Sequence, residues 1–160
     1  MNKKLVLYHT YTGNTELVAK EIAAKTGATL CKLEPVTPFS SDYNAVVDEW
    51  QNNSVKAEVP IKPLSVDLSE YSEVVLCSPV WWYTVTPVVF AFLKKYDLSG
   101  KTVYPVFTSA GWFGHSYTDV KKLFKGDLKE KTCVKFSEDY TEHKIVGGET
   151  ELSSLINKLK

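Results

Sequence analysis

A run of hydroxyl and amide side chains near the N-terminus is the first feature that could do chemistry. Between the apolar stretch 5–8 and a helix-like pattern of apolar residues lie Thr10, Tyr11, Thr12, Gly13, Asn14 and Thr15. Backbone N–H groups at the start of a helix have no partners within the helix, and the helix dipole places partial positive charge there. The loop is therefore predicted to bind a phosphate group, with the threonines and the Asn14 amide as further donors.

The same loop carries no positively charged side chain. Between Lys4 and Lys20 there is neither lysine nor arginine, and the loop has no G-K-[ST] sequence. A nucleoside triphosphate site needs a lysine and a metal-binding hydroxyl to balance the charge of its ligand. We therefore expect a ligand with a single terminal phosphate, held by neutral donors and a helix end.

Two later loops combine aromatic and small residues. The first consists of Pro79, Val80, Trp81, Trp82 and Tyr83, and the second of Ser109, Ala110, Gly111, Trp112, Phe113 and Gly114. Aromatic faces bind flat heterocycles, and glycines let the backbone amides approach the polar edge of such a ring. Trp81, Trp82 and Tyr83 are predicted to supply one aromatic wall, and Trp112 and Phe113 a second.

The elements that carry these loops follow an alternating pattern. Apolar segments at 5–8, 29–33, 73–77, 101–108 and 132–136 are predicted as strands, and stretches with helical spacing separate them. This alternation indicates an α/β fold with an open five-stranded parallel sheet and helices on both faces. In such sheets ligands bind beyond the carboxyl ends of the strands. The three loops are therefore expected to meet at that edge.

Composition limits the classes of protein that the chain can form. Its 160 residues are predicted to form one domain, 1–160. Lys+Arg and Asp+Glu are balanced at 19 each, so no overall charge attracts nucleic acid or an anionic membrane. No apolar run is long enough to span a bilayer, and no signal-peptide core follows Lys3 and Lys4. We expect a cytoplasmic protein without a nucleic-acid or membrane partner.

The cysteines argue against a metal or disulfide framework. Cys31, Cys77 and Cys133 are odd in number and widely spaced, and they form no C-x-x-C or Cys/His cluster. Cys77 lies within an apolar run, where a buried and inert thiol is expected. No metal site and no catalytic cysteine are predicted.

The first loop, with the strand before it and the helix after it, resembles the FMN phosphate-binding signature of flavodoxins. Residues 79–82 and 109–111 are similar to the two flavin-contacting loops of short-chain, single-domain flavodoxins. The resemblance implies a flavodoxin-like sheet with strand order 2-1-3-4-5 and bound FMN. It further implies that Trp82 or Tyr83 stacks on the flavin and that N–H groups of 109–114 meet its N1/O2 edge.

Two positions depart from that family pattern. Tyr83 stands where many relatives have glycine, near the flavin N5, and Trp112 replaces a small residue in a loop that is one residue shorter than usual. A tyrosine at position 83 is expected to restrict the peptide movement that follows the redox state of the flavin. Among the histidines, His9 and His143 are interpreted as surface or capping residues, and His115 as a residue that could tune the charge of the reduced flavin.

Three functions remain open at this point. The resemblance favours a redox protein that transfers electrons through a non-covalent flavin to a partner protein, although such carriers are generally acidic and this chain is neutral. The alternative is an FMN-dependent reductase that takes hydride from NAD(P)H and reduces quinones or similar small acceptors. The chain has no G-x-G-x-x-G motif and no arginine, which disfavours tight NADPH binding. The third is a cofactor-free protein-binding module. In both redox functions the flavin carries the chemistry, so no side chain is predicted to be catalytic. The oligomeric state stays open.

Overall fold

Strands and helices alternate along residues 3–51, 59–124 and 126–160, which are the residues described by the computed structural model. In chain order the strands are β1 (Lys4–Tyr8), β2 (Thr29–Lys32), β3 (Glu73–Trp81), β4 (Thr84–Val85), β5 (Thr102–Ser109), β6 (Asp127–Leu128), β7 (Thr132–Phe136) and β8 (Ile145–Gly147). The helices are α1 (Asn14–Thr26), α2 (Tyr43–Gln51), α3 (Pro87–Lys95), α4 (Ser116–Leu123) and α5 (Glu149–Leu159), with a 3-10 turn at Leu68–Glu70.

The sheet has the order β2-β1-β3-β5-β7-β8. The first five of these strands are parallel, which confirms the predicted open parallel sheet with order 2-1-3-4-5. The prediction omitted β8, which pairs antiparallel with β7 at the sheet edge, and the short strands β4 and β6. Each of the three has only two or three residues, too few to show an alternation of apolar and polar side chains.

Both faces of the sheet are covered, which explains the apolar character of the central strands. Leu5 and Leu7 pack in a cluster with the buried face of α3, whereas Val6 and Tyr8 pack with residues of α1 and α5. Neighbouring residues of a strand point to opposite faces, so a strand between two helical layers needs apolar residues at every position.

A glycine lies at each end of α1. Gly13 adopts a left-handed conformation with φ 106° directly before the helix. Gly27, with φ 75°, follows it and donates its N–H to the Ala23 carbonyl at 2.9 Å. A left-handed residue costs glycine no steric penalty, so glycine is favoured at both positions.

The start of α4 differs from the sequence-based interpretation. Ser116 and Asp119 resemble a capping box for α4, and this interpretation is wrong. The residue before the helix is His115, and the Ser116 hydroxyl donates to the Phe113 carbonyl instead.

Pro105 lies in β5 between Val103, the last residue paired with β6, and Val106, the first paired with β7, so its missing N–H falls beside a break in the ladder. The sequence predicts that the second helix ends within 51–54 and that an irregular connection follows to residue 68; residues 52–58 of this stretch lie outside the described residues.

No helix within the described ranges combines the length and apolar character required to cross a membrane.

A buried histidine joins the end of β1 to the start of α3. The His9 ring is 2% exposed, and its Nδ1 is hydrogen-bonded to the Thr86 hydroxyl at 2.8 Å. Burial, with a smaller contribution from the charge of Lys32, lowers the pKa of His9 from 6.5 to about 3. His9 is therefore neutral in the folded protein and not the surface or capping residue that the sequence suggested.

This burial predicts a loss of stability in acid. Below pH 6.5 the unfolded chain protonates His9 and the folded chain does not, so the free energy of unfolding falls by up to about 1.4 kcal/mol per pH unit as the pH drops toward 3. Above pH 6.5 the contribution is complete and constant. Urea unfolding of the wild type and of His9→Gln at pH 7.5, 6 and 5 measures it. The wild type should lose more stability than the variant, and parallel pH dependence would contradict the assignment.

Candidate functional site

The loop between β1 and α1 leaves the start of the helix uncapped. Gly13 has no side chain to cap α1, and its own N–H is bonded to the Thr10 hydroxyl at 3.1 Å. The Thr15 hydroxyl is buried and shares a 2.8 Å hydrogen bond with the Thr108 hydroxyl at the end of β5. The first turn of α1 thus directs N–H groups, flanked by hydroxyl groups, toward the carboxyl edge of the sheet.

A cavity of about 150 Å³ lies at this edge. Residues from all three predicted loops line it, namely Tyr11, Thr12, Asn14, Thr15, Pro79, Val80, Trp81, Ser109 and Ala110. The loops meet because β1, β3 and β5 are parallel neighbours whose carboxyl ends reach the same edge. The three loops that the sequence singled out therefore contribute residues to one cavity.

Further residues of the cavity come from segments that sequence reasoning did not select. They are Tyr43, Thr108, Ser137, Glu138 and Tyr140. Tyr43 begins α2 at an apolar position of the helical pattern, yet it is 44% exposed and stacks on Tyr140 with ring centroids 4.9 Å apart. Tyr140 belongs to the loop 137–144 between β7 and β8. The end of β7, the fifth parallel strand, was the available signal for that loop.

The remaining predicted residues lie around the cavity rather than in its lining. Thr10 and Gly13 shape the first loop, and Trp82 lines a neighbouring cavity. The rings of Tyr83 and Trp112 are 54% and 70% exposed and lie 5.2 Å apart.

The second aromatic wall expected from Trp112 and Phe113 does not line either cavity. Phe113 is partly buried against the core cluster of α3 and α4. Gly111 is exposed, and Gly114 lies against the backbone of Tyr83. These residues border the site on the side of the 109–115 loop.

The neighbouring cavity has a volume of about 220 Å³ and lies between α2 and the tryptophan loop. The described residues that line it have uncharged side chains, those of Tyr11, Tyr43, Val46, Val47, Val80, Trp81 and Trp82. The Trp81 ring is held there by Phe39 at 5.1 Å and Tyr11 at 5.8 Å between ring centroids. Because Tyr11, Tyr43, Val80 and Trp81 line both cavities, the two are adjoining parts of one aromatic site.

Two strained residues turn the chain back between β3 and β4. Trp81 pairs with Thr84, and the intervening Trp82 and Tyr83 have φ values of 47° and 71°. Two successive positive φ values are the pattern of a type I′ hairpin turn, which normally selects Asn and Gly. Each non-glycine residue in this conformation costs roughly 1–2 kcal/mol. Neighbouring groups must compensate for that strain.

The start of α4 provides the compensation. A Cβ at Gly114 would lie 2.2 Å from the Tyr83 carbonyl oxygen, so only glycine permits this approach. The same carbonyl accepts the His115 N–H at 2.8 Å. The Asp119 carboxylate, 4% exposed, accepts hydrogen bonds from the Thr84 hydroxyl and from His115 Nδ1, both at 2.5 Å. Asp119 therefore stabilises the hairpin between β3 and β4 through these two hydrogen bonds.

Removing this carboxylate should loosen the hairpin. Both hydrogen bonds end on the same carboxylate oxygen, Oδ2, so in Asp119→Asn the amide oxygen can still accept both, but without the charge that strengthens them. We expect the free energy of unfolding to fall by about 2 kcal/mol, as measured by urea titration at pH 7. Asp127→Asn, an exposed carboxylate of β6, is the matched control and should change stability little. Equal effects of the two substitutions would show that Asp119 is not a support of the turn.

An open parallel sheet, an uncapped helix start after its central strand, and aromatic and small-residue loops at the same edge define the flavodoxin-like class of α/β proteins. The chain belongs to the flavodoxin family: a family model described as Flavodoxin matches residues 3–145. No curated protein sequence matches the chain.

Solved structures show the same fold. A structure described as a flavoprotein of Bacteroides eggerthii is 26% identical, with a TM-score of 0.77, 99% of this chain and 98% of that chain covered. One from Bacteroides uniformis is 20% identical, with a TM-score of 0.70 and coverage of 88% and 96%. A flavoprotein of Lactobacillus acidophilus, solved in complex with FMN, is 22% identical, with a TM-score of 0.65 and coverage of 83% and 93%.

Proposed function

We propose that this chain is a redox protein that binds FMN without a covalent bond and transfers electrons through it. The observation that carries the proposal is the meeting of an uncapped helix start, neutral hydroxyl donors and aromatic side chains in one cavity. Membership of the flavodoxin family and the FMN complex of the Lactobacillus acidophilus protein support it.

The donor set at the cavity fits a single phosphate. Among the described residues that line it, the hydroxyl groups of Thr12, Thr15 and Ser109 and the Asn14 amide are neutral, and no lysine is present. Hydrogen bonds from neutral donors to a phosphate oxygen are charge-assisted, and the helix start adds a favourable dipole. The cavity has room for a phosphate and its linking chain, and the aromatic residues at its mouth offer faces for the ring.

Bound FMN would supply the redox chemistry, and the side chains would set its orientation and access. Residues 10–15 would hold the phosphate, while Trp81, Trp82 and Tyr83 would offer aromatic surface for the ring. The carboxylate of Asp119 would keep the Trp82–Tyr83 turn in place. The stacked Tyr43–Tyr140 pair lines the same cavity and would limit the contact of a bound ligand with water on that side.

A small-molecule reductase is the second candidate. The aromatic cavity of about 220 Å³, whose described lining residues are uncharged, favours it, because such a lining would accept a flat neutral acceptor beside the flavin ring. The natural acceptors of this function would be quinones or similar molecules, and the donor NADH or NADPH.

FMN binding tests the phosphate assignment. In Thr12→Ala/Thr15→Ala, FMN affinity should fall far more than riboflavin affinity, because each lost charge-assisted hydrogen bond contributes roughly 1.5–3 kcal/mol and riboflavin lacks the phosphate. Quenching of flavin fluorescence measures both affinities, and Thr29→Ala in β2 is the control. Equal losses for the two ligands would refute the phosphate role. A wild-type protein that ignores added FMN would leave the cofactor-free binding module as the surviving function.

Anaerobic mixing separates carrier from reductase. For a carrier we expect NADH and NADPH to leave the visible absorbance of the flavin unchanged, while dithionite removes it. Rapid bleaching by either nucleotide would overturn the carrier proposal in favour of the reductase.

The reductase makes a further demand on the neighbouring cavity. Val47→Trp would fill it, so reoxidation of the FMN-saturated, reduced protein by 1,4-naphthoquinone would slow about tenfold or more. FMN affinity is measured alongside, because residues of this cavity also line the first one. An unchanged reoxidation rate would show that the cavity does not bind the acceptor.

A further inference from the structure

A histidine from the far end of the chain lies on the phosphate-binding loop. His143 Nδ1 is 2.7 Å from the side-chain oxygen of Asn14, the first residue of α1. A Cβ at Gly13 would be 3.2 Å from Cε1 of the same ring and within 3.9 Å of both ring nitrogens. The imidazole therefore covers Gly13, and the lack of a side chain there gives it room.

The backbone holds this position at a cost. His143 has φ 52°, one of three non-glycine residues with positive φ in the described part of the chain. The loop 137–144 is closed by the Ser137 N–H, which donates to the Lys144 carbonyl at 2.8 Å. The Ser137 hydroxyl also donates to Glu142 at 3.1 Å. Strained residues that the surrounding structure holds in place are concentrated at functional sites.

The charges around His143 differ on its two sides. Residues 10–15 carry no charge, and no described lysine lines the site cavity. Away from the loop, His143 shares a separate cavity with the carboxylates of Glu21 in α1 and Glu149 in α5. Glu142 and Lys144 flank it in sequence, and Glu138 lines the site cavity. The imidazole is thus placed to bring a positive charge to an otherwise neutral phosphate loop.

We propose that His143 belongs to the phosphate site and that its protonated imidazole supplies the positive charge that residues 10–15 lack. Affinity for a phosphate monoester then rises as His143 takes up a proton. The proposal rests on the proposed function, since it concerns the phosphate of FMN. Asn14 is the connecting residue: its side-chain oxygen accepts from Nδ1, which leaves its amide N–H groups free to face the loop.

The pH dependence must be separated from that of the ligand. A histidine ordinarily changes charge between pH 5 and 8, and a phosphate monoester loses its second proton in the same range. The ratio of wild-type to His143→Gln affinity at each pH cancels the ionisation of the phosphate, because both proteins bind the same ligand.

FMN and riboflavin binding at pH 5.5, 7.0 and 8.5 to the wild type, His143→Gln and His143→Lys tests the proposal. For FMN, the ratio of wild-type to His143→Gln affinity should be about tenfold at pH 5.5 and fall below about twofold at pH 8.5. For riboflavin it should stay near one throughout. His143→Lys, which keeps its charge, should bind FMN about tenfold more tightly than His143→Gln even at pH 8.5. Lys144→Gln, the neighbouring charge, is the matched control and should alter FMN affinity less than about twofold.

Any other result of these binding measurements contradicts a specific part of the proposal. A ratio that does not change with pH, or an equal loss of FMN and riboflavin, shows that His143 acts through the shape of the loop and not through charge. Failure of His143→Lys to bind FMN better than His143→Gln, with both variants folded by circular dichroism, does the same. A wild type that binds neither ligand at any pH contradicts FMN binding itself, and the two failures are thereby distinguished.

Discussion

The structure depends on the burial of β1 between two parallel neighbours. Val6 pairs with Leu30 of β2 on one side and with Val75 of β3 on the other, and both faces of the strand are covered by helices. After β1 the chain adds β2 on one side of that strand. It then crosses over and adds β3 on the other side. In open α/β sheets ligands bind in the crevice at that change of direction, and the loop after Tyr8 lies there.

The parts of the fold that local sequence determines were predicted well. Gly13 and Gly27 mark both ends of α1 because no other residue adopts their backbone conformation without strain. Thr86 followed by Pro87 marks the start of α3, although the Thr86 hydroxyl bonds to His9 and not to the helix. The capping box predicted at Ser116 was wrong for the same reason. A hydroxyl group near the start of a helix can bond to groups that the neighbouring sequence does not reveal.

The candidate site was predicted in its segments and only partly in its contacts. The phosphate loop and the tryptophan loop were found because their residue types are unusual where they stand. Tyr140 and His143 were not, since the sequence 137–144 is polar and resembles an ordinary hairpin loop. What brings this loop to the cavity is the position of β7 in the sheet and the antiparallel return of β8, and residue types alone predict neither.

The walls of the site differ in how firmly they are held, and this difference bears on function. The first loop is joined to β5 by Thr15 and Thr108, and the Trp82–Tyr83 turn is joined to α4 by Asp119, all through buried hydrogen bonds. The side toward α2 is joined in part through exposed contacts, the stacking of Tyr43 on Tyr140 and the bond from the Tyr11 hydroxyl to the Ser40 carbonyl. Further inside, Phe39 packs edge-on against Trp50 and Trp81. Buried, fully paired polar networks resist rearrangement, whereas exposed contacts exchange readily with water. A ligand would therefore meet preformed phosphate and turn sites and would enter by parting the α2 side, where the uncharged cavity also lies. Entry of the cofactor and access for any second small molecule would thus share the α2 side, and the acceptors that the protein could reduce would depend on what that side admits once the cofactor is in place.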